Sequence, residues 1–250
     1  MGDRAVYCAR LESVCAAKHP GFESLPIRHF VTLSLAFVFA ALLISCGKSE
    51  SRRSDHTLEP ATREFNAGKF ESALSRLAKG DKPGPEALDL RGCVLMEQGK
   101  FEEATQAFDE AHQANPALFA PRLHRGDLFL RQFKFADARR EYQTLLDETN
   151  ILISHERLRY ALLITFLAEQ NDNDARRMLD SITFPTESAA YYFAQAAWSY
   201  AHKDQKSGDE WTAKARQVYD PAATAWFARP LFDLGWIKKK PPLAYSLANS

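Results

Sequence analysis

The residues of this chain that could carry metal or nucleophilic chemistry are seven histidines (His19, His29, His56, His112, His124, His155 and His202) and four cysteines (Cys8, Cys15, Cys46 and Cys93). A zinc-binding helix sets two histidines at i and i+4, and closed zinc sites use paired cysteines; neither spacing occurs here. There is no G-x-S-x-G elbow to raise a serine nucleophile and no glycine-rich dinucleotide loop. Gly47-Lys48-Ser49 ends like a phosphate-binding loop, but the place where that loop needs its first glycine is Leu42. The carboxylate pairs Glu102-Glu103 and Asp209-Glu210 fall in turns and at helix starts, where they offset the helix dipole. The expectation is therefore no catalytic residue, no metal and no cofactor, hence no enzyme. A hydrolase hidden in residues 154–221 would need a converging carboxylate or histidine pair, and the sequence offers none.

Cys46 is the exception, through what precedes it. Phe30–Ile44 is almost wholly apolar and follows Arg28 and His29, the charged-then-apolar layout of a secretory signal. At 15 residues it falls short of the ~20 needed to span a bilayer as a helix. It ends in Leu43-Ile44-Ser45-Cys46-Gly47, which resembles the bacterial lipobox. The resemblance implies cleavage before Cys46 and lipidation of Cys46 by acyl chains of the palmitate kind; two or more chains hold a protein stably at a membrane. Gly47 rather than Asp after the cysteine implies the outer membrane, facing the periplasm. Glu12 and Glu23 are foreign to such a leader, so a start near Leu25 or Val31 is expected, which would leave Cys8 and Cys15 out. Residues 1–45 are thus read as signal and 46–57, polar throughout, as a flexible tether. Cys93 is left without a disulfide partner, as a small apolar residue within a helix.

The remaining chain repeats itself. Gly92 recurs as Gly126, Leu95 as Phe129, Phe101 as Phe135, Ala104 as Ala138 and Phe108 as Tyr142, all at one offset of 34 residues. A fixed period in this range marks stacked repeats. The stretch Leu88-x-x-Arg91-Gly92-x-x-Leu95, then Ala104-x-x-x-Phe108, then Pro116 resembles the tetratricopeptide repeat. Gly99 supplies the left-handed cap between two helices, and Pro116 stops the second. Gly92 within a helix costs about 1 kcal/mol relative to alanine, which close approach of the paired helix explains. Gly68-Lys69-Phe70 copies the Gly99 turn at an offset of 31. Residues 151–221 keep only traces of the pattern, with Ala175-x-x-x-Leu179 and Phe193-x-x-Ala196-Ala197-x-x-Tyr200 as the clearest.

The expected fold is all-α: a right-handed superhelical stack of about four such helix pairs over residues 58–235, a capping helix near Ala222–Leu231, and a tail over 236–250 with Lys238-Lys239-Lys240 in solvent. The resemblance implies a concave inner face lined by the first helix of each pair. The phase of Gly92 and Gly126 puts Asp89, Cys93, Met96 and Glu97, then Leu123, Asp127, Leu130 and Arg131, on that face, a mixed apolar and charged groove suited to a peptide or partner helix. Relatives that clamp a C-terminal carboxylate use Lys and Asn there; Asp89, Cys93, Leu123 and Asp127 argue against that mode. Net charge is zero, so nucleic acid is not implied. The expected function is a lipid-anchored scaffold that binds a protein or peptide partner. The alternative is a lipoprotein whose helical cup holds a small molecule or cell-wall fragment.

Overall fold

The structure, a computed structural model, describes residues 51–79 and 82–245. Cys46, the apolar segment before it and the first part of the tether lie outside these residues. Among the described residues the chain forms eleven helices and no strand. They are α1 (Ser51–Asn66), α2 (Phe70–Leu77), α3 (Pro85–Glu97), α4 (Phe101–Ala114), α5 (Phe119–Arg131), α6 (Phe135–Glu148), α7 (Leu152–Ala168), α8 (Asp172–Asp180), α9 (Ala190–Ala201), α10 (Gln205–Val218) and α11 (Pro221–Asp233). None of these helices is long and apolar enough to cross a membrane. The first ten form five pairs, from α1–α2 to α9–α10, with each helix packed closely on its partner and α7 packed as closely on α6 as on α8. Five pairs stand where about four were expected, and α1 begins at Ser51, within the stretch expected to be tether.

One turn closes all five pairs. At each, a residue with positive φ follows the first helix: Gly68, Gly99, Phe133, Gln170 and Lys203. The next residue then donates its N–H back across the helix end: Lys69 to Glu64, Lys100 to Leu95, Lys134 to Phe129, Asn171 to Phe166 and Asp204 to Ser199, each at 2.8 or 2.9 Å. This is the Schellman ending, in which a left-handed residue satisfies carbonyls the helix leaves over. Glycine adopts that conformation without strain; an L-residue with a side chain does so at a cost of roughly 1–2 kcal/mol. Phe133 is 62% exposed and its ring meets only Phe135 at 6.1 Å among aromatic neighbours. Phe133→Gly is therefore expected to stabilise the protein by about 1 kcal/mol, read as a higher urea midpoint at unchanged slope.

Within three of the pairs, an aromatic ring lies on a glycine. A methyl group at Gly92 would overlap the ring of Phe108, and one at Gly126 the ring of Tyr142. Phe108 thus sits on the glycine of its own pair. In α9–α10 the arrangement is reversed: Tyr200, on the first helix, covers Gly208 on the second. The rings feed two apolar clusters, one over α1–α4 that also takes in Leu128 of α5 and Tyr245, and one running from α5 to α11, with Phe129 packed against both.

Two elements depart from the expected plan. Helix α11, started by Asp220 accepting from Ala223 N at 2.8 Å and by Pro221 at its first turn, does more than close the open end. It packs on α5, α9 and α10, and Arg229 reaches Glu97 on α3 at 2.7 Å. After Gly235, also at positive φ, Lys238, Lys239 and Lys240 are exposed as expected, but the chain does not run on into solvent. It returns along α3: Lys240 meets Glu97 at 3.3 Å, and Tyr245 meets Asp89 and Asn66. Asp89 and Glu97 are about 12 Å apart along a helix, a span that the five-residue step from Lys240 to Tyr245 covers without regular secondary structure. Glu97 explains the difference: a buried carboxylate already held by two arginines draws in a third cation from the expected solvent tail.

Candidate functional site

Helices α3 and α5 present two facing stripes. On α3, Asp89, Cys93 and Glu97 stand at i, i+4 and i+8; on α5, His124, Asp127 and Arg131 stand at i, i+3 and i+7. Helical spacing puts each set on one side of its helix.

At one end lies Asp89, with no exposed surface. His124 Nδ1 donates to its two oxygens at 2.9 and 3.1 Å, and the Tyr245 hydroxyl donates to Oδ2 at 2.8 Å. Burial disfavours a charged imidazole, but Asp89 and, after it, Cys93 together outweigh burial and hold the His124 pKa well above its usual value. The Asp89–His124 pair is a charge-assisted hydrogen bond. Burial and the same carboxylate push the Tyr245 hydroxyl up, so it remains a donor.

Cys93 Sγ lies 3.4 Å from the same His124 Nδ1. Cys, His and Asp are the parts of a nucleophilic relay, but a relay needs the base to meet the thiol through one ring nitrogen and the orienting carboxylate through the other. Here one nitrogen serves both, and burial pushes the thiol up to about 11, away from the thiolate that reacts. The oxygen, sulfur and nitrogen atoms of Asp89, Cys93 and His124 lie within 4.8 Å of one another, a donor set that zinc accepts. Those donors are already joined to one another and to Tyr245 by hydrogen bonds. A cation would have to displace the His124 Nδ1 proton and ionise the raised thiol.

In the middle, Asp127 accepts from the Tyr142 hydroxyl at 2.7 Å and from Trp226 Nε1 at 2.8 Å. Burial nevertheless holds its pKa above the ordinary value. Arg157 stacks on the far side, its guanidinium 4.8 Å from the Trp226 ring centroid. At the other end, the Glu97 side chain, 4% exposed, accepts from Arg131 at 2.8 Å and Arg229 at 2.7 Å and pairs with Lys240. Asp233 shares both arginines, Arg229 at 2.9 Å and Arg131 at 3.6 Å. What remains open between the stripes is a cavity of about 110 Å³ bordered by Cys93, Met96, His124, Leu130, Pro230 and Tyr245 among others.

Residues 85–118, which are α3, α4 and the turn after them, match the family model of the tetratricopeptide repeat. No curated protein matches the chain. Among solved structures, a tetratricopeptide repeat protein from Parabacteroides merdae is similar over 74% of this chain and 75% of its own, at 18% identity and a TM-score of 0.48. MamA from Desulfovibrio magneticus is similar over 66% of this chain and 94% of its own, at the same identity and TM-score.

The residues expected to line the inner face are distributed unevenly. Cys93, Met96, Glu97, Asp127, Leu130 and Arg131 border this small cavity. Asp89 lies beneath Tyr245. Leu123 is not on the face: it is 1% exposed and belongs to the core that runs from α5 to α11, because a residue beside His124 on the helix points about 100° away from it. Of the packing positions, Gly92, Leu95, Ala104, Phe108, Gly126, Ala138 and Tyr142 are buried and Phe129 is partly so. Sequence reading missed His124, Asn66, Trp226, Arg229 and Tyr245. His124 was legible in principle, since it lies three residues before Asp127 on the helix phase already fixed by Gly126. The others come from α1, α11 and the tail, and no local spacing ties them to α3.

Proposed function

We propose that this protein is a lipid-anchored scaffold of the cell envelope that binds an extended segment of a partner protein on the inner face of its helical repeats. The observation that supports this most directly is that the inner face already accommodates a non-helical stretch of chain, residues 240–245, through main-chain and side-chain contacts of Tyr245 and the Lys240–Glu97 pair. Peptide-binding surfaces work in that way: main-chain hydrogen bonds give affinity and side-chain pockets give selectivity. The anchor rests on Leu43-Ile44-Ser45-Cys46 after an apolar segment, with the outer membrane, periplasmic side, as the proposed location.

A photo-crosslinking residue in place of Pro230, at the rim of the cavity, is expected to trap one protein species in living cells. The same residue in place of Phe133, on an exposed turn, is expected to trap none. Equal trapping at both sites would remove the inner face from the proposal. Cys46→Ser should abolish incorporation of labelled palmitate and release the protein from membranes; retention of label would refute the anchor.

A second reading follows from a cleft of about 700 Å³ enclosed by α9, α10, α11 and residues 235–242, where Asp209, Arg216 and the three lysines meet Phe193, Trp236 and Ile237. Its size and its mixture of apolar wall and few polar groups suit a small ligand. A small molecule that raises the melting temperature of the purified protein, with no crosslinked partner at residue 230, would favour this reading.

A further inference from the structure

The segment from Pro241 to Tyr245 is held chiefly at one end, where Tyr245 joins the apolar cluster of α1–α4 and Leu243 packs against it. Only Tyr245 of the five is buried; Pro242 is exposed, and Pro241, Leu243 and Ala244 are partly so. Its contacts are of two kinds. Asn66 reads the main chain: its Oδ1 accepts from Tyr245 N at 2.8 Å and its Nδ2 donates to Tyr245 O at 3.1 Å. That pair of bonds forms with any residue except proline at this place. The side chain of Tyr245 is read separately. Its ring meets Phe65 edge-on at 6.2 Å and His124 at 5.9 Å, and its hydroxyl donates to Asp89. A carboxylate at the back of an aromatic slot selects tyrosine over phenylalanine, because phenylalanine would leave Oδ2 of the buried Asp89 with only the longer, shared bond from His124 at 3.1 Å.

From these contacts we propose that residues 241–245 are a displaceable resident of the inner face, and that the partner binds by replacing them with an extended segment of its own carrying a tyrosine in the Asp89 slot. The proposal rests on the inner-face reading above and names the chemistry of its partner. The tail is tethered at Gly235, so it competes as an intramolecular ligand at high effective concentration. A partner then binds with an affinity reduced by the fraction of time the slot is free. The tail sets a threshold that weak, non-tyrosine segments do not pass.

The test uses an amidated, fluorescein-labelled peptide with the sequence of residues 238–245, titrated by anisotropy against full-length protein. It should bind the Tyr245→Ala chain at least tenfold more tightly than the wild-type chain. The same peptide with phenylalanine for tyrosine should bind the Tyr245→Ala chain at least tenfold more weakly than the tyrosine peptide. Lys240→Ala, which loosens the tail at its other end, should also raise peptide affinity, and it keeps the test open if Tyr245→Ala does not fold. Equal affinity for wild-type and loosened chains, equal affinity for the two peptides, or a tail-exchanged dimer by light scattering that excludes the peptide would each overturn the proposal. The crosslink at residue 230 separates the two readings. A trapped partner that the peptide fails to displace leaves the inner face standing and removes the tail proposal; a peptide bound in the tyrosine slot with no trapped partner removes the partner from both and overturns the proposal, leaving only a displaceable tail.

Discussion

Replacing Gly92 with valine should destabilise the protein by about 3 kcal/mol, and a second change, Phe108→Ala, should give back much of that loss. The first methyl group at Gly92 already overlaps the Phe108 ring, and a branched side chain leaves the ring nowhere to go, since Phe108 is 1% exposed. Overpacking a closed core costs roughly 1–3 kcal/mol. Phe108→Ala alone should cost on the order of 3–5 kcal/mol, by lost burial and the cavity left behind. In the double variant the valine fills part of that cavity. The cost should then fall below the sum of the single costs by at least 1 kcal/mol, within the range found for residues in contact. Chemical denaturation of the four chains measures it. Additive costs would mean that Gly92 and Phe108 do not form the contact that defines the pair. The same cycle at Gly208 and Tyr200 should give coupling of the same sign, because the reversed pair makes the same contact with the roles of its two helices exchanged.

That reversal shows why only part of the fold was legible. The 34-residue offset fixes α3 to α6 because there the glycine and its aromatic keep their places. In α9–α10 the physical contact survives and the sequence order does not, so a search for glycine on the first helix passes over it. The turns tell the same story. Gly68 and Gly99 announce a left-handed residue; Phe133, Gln170 and Lys203 adopt that conformation with nothing in their chemistry to signal it. The neighbouring helices impose it, at a local cost. Concerning the site, helical phase was enough to bring Asp89, Cys93 and Glu97 onto one side of α3. It could not show what covers them. Asn66 and Tyr245 are 179 residues apart, and Asp127 and Trp226 are 99 apart. Such pairings are decided by where α11 and the tail find buried charge to satisfy, a property of the assembled stack and of no single segment.

Glu97 is where that buried charge is greatest, and Glu97→Ala should cost about 3 kcal/mol or more. The carboxylate stands against Arg131, Arg229 and Lys240 with only Asp233 to share the two arginines. Removing one partner from a buried ionic group costs roughly 3–5 kcal/mol because the opposite charges stay behind without compensation. Here the loss has a direction. Arg229 belongs to α11 and Lys240 to the returning chain, so both elements lose their hold on α3, and backbone exchange in residues 229–245 should rise more than in α3 itself. The dependence on pH follows from the carboxylate. Burial by itself would raise its pKa, but Arg131, then Arg229 and Lys240, outweigh burial and hold it below the ordinary 4.5. A depressed carboxylate contributes stability that is present above its unfolded pKa and is lost as the pH falls through the folded value. The advantage of the wild-type chain over Glu97→Gln should therefore be full above about pH 4.5 and shrink steadily below it, as followed by urea midpoints from pH 7 downward. A gap between the two chains that stays constant through that range would mean that Glu97 acts by shape alone, and that α11 and the tail are held on the inner face by their apolar contacts.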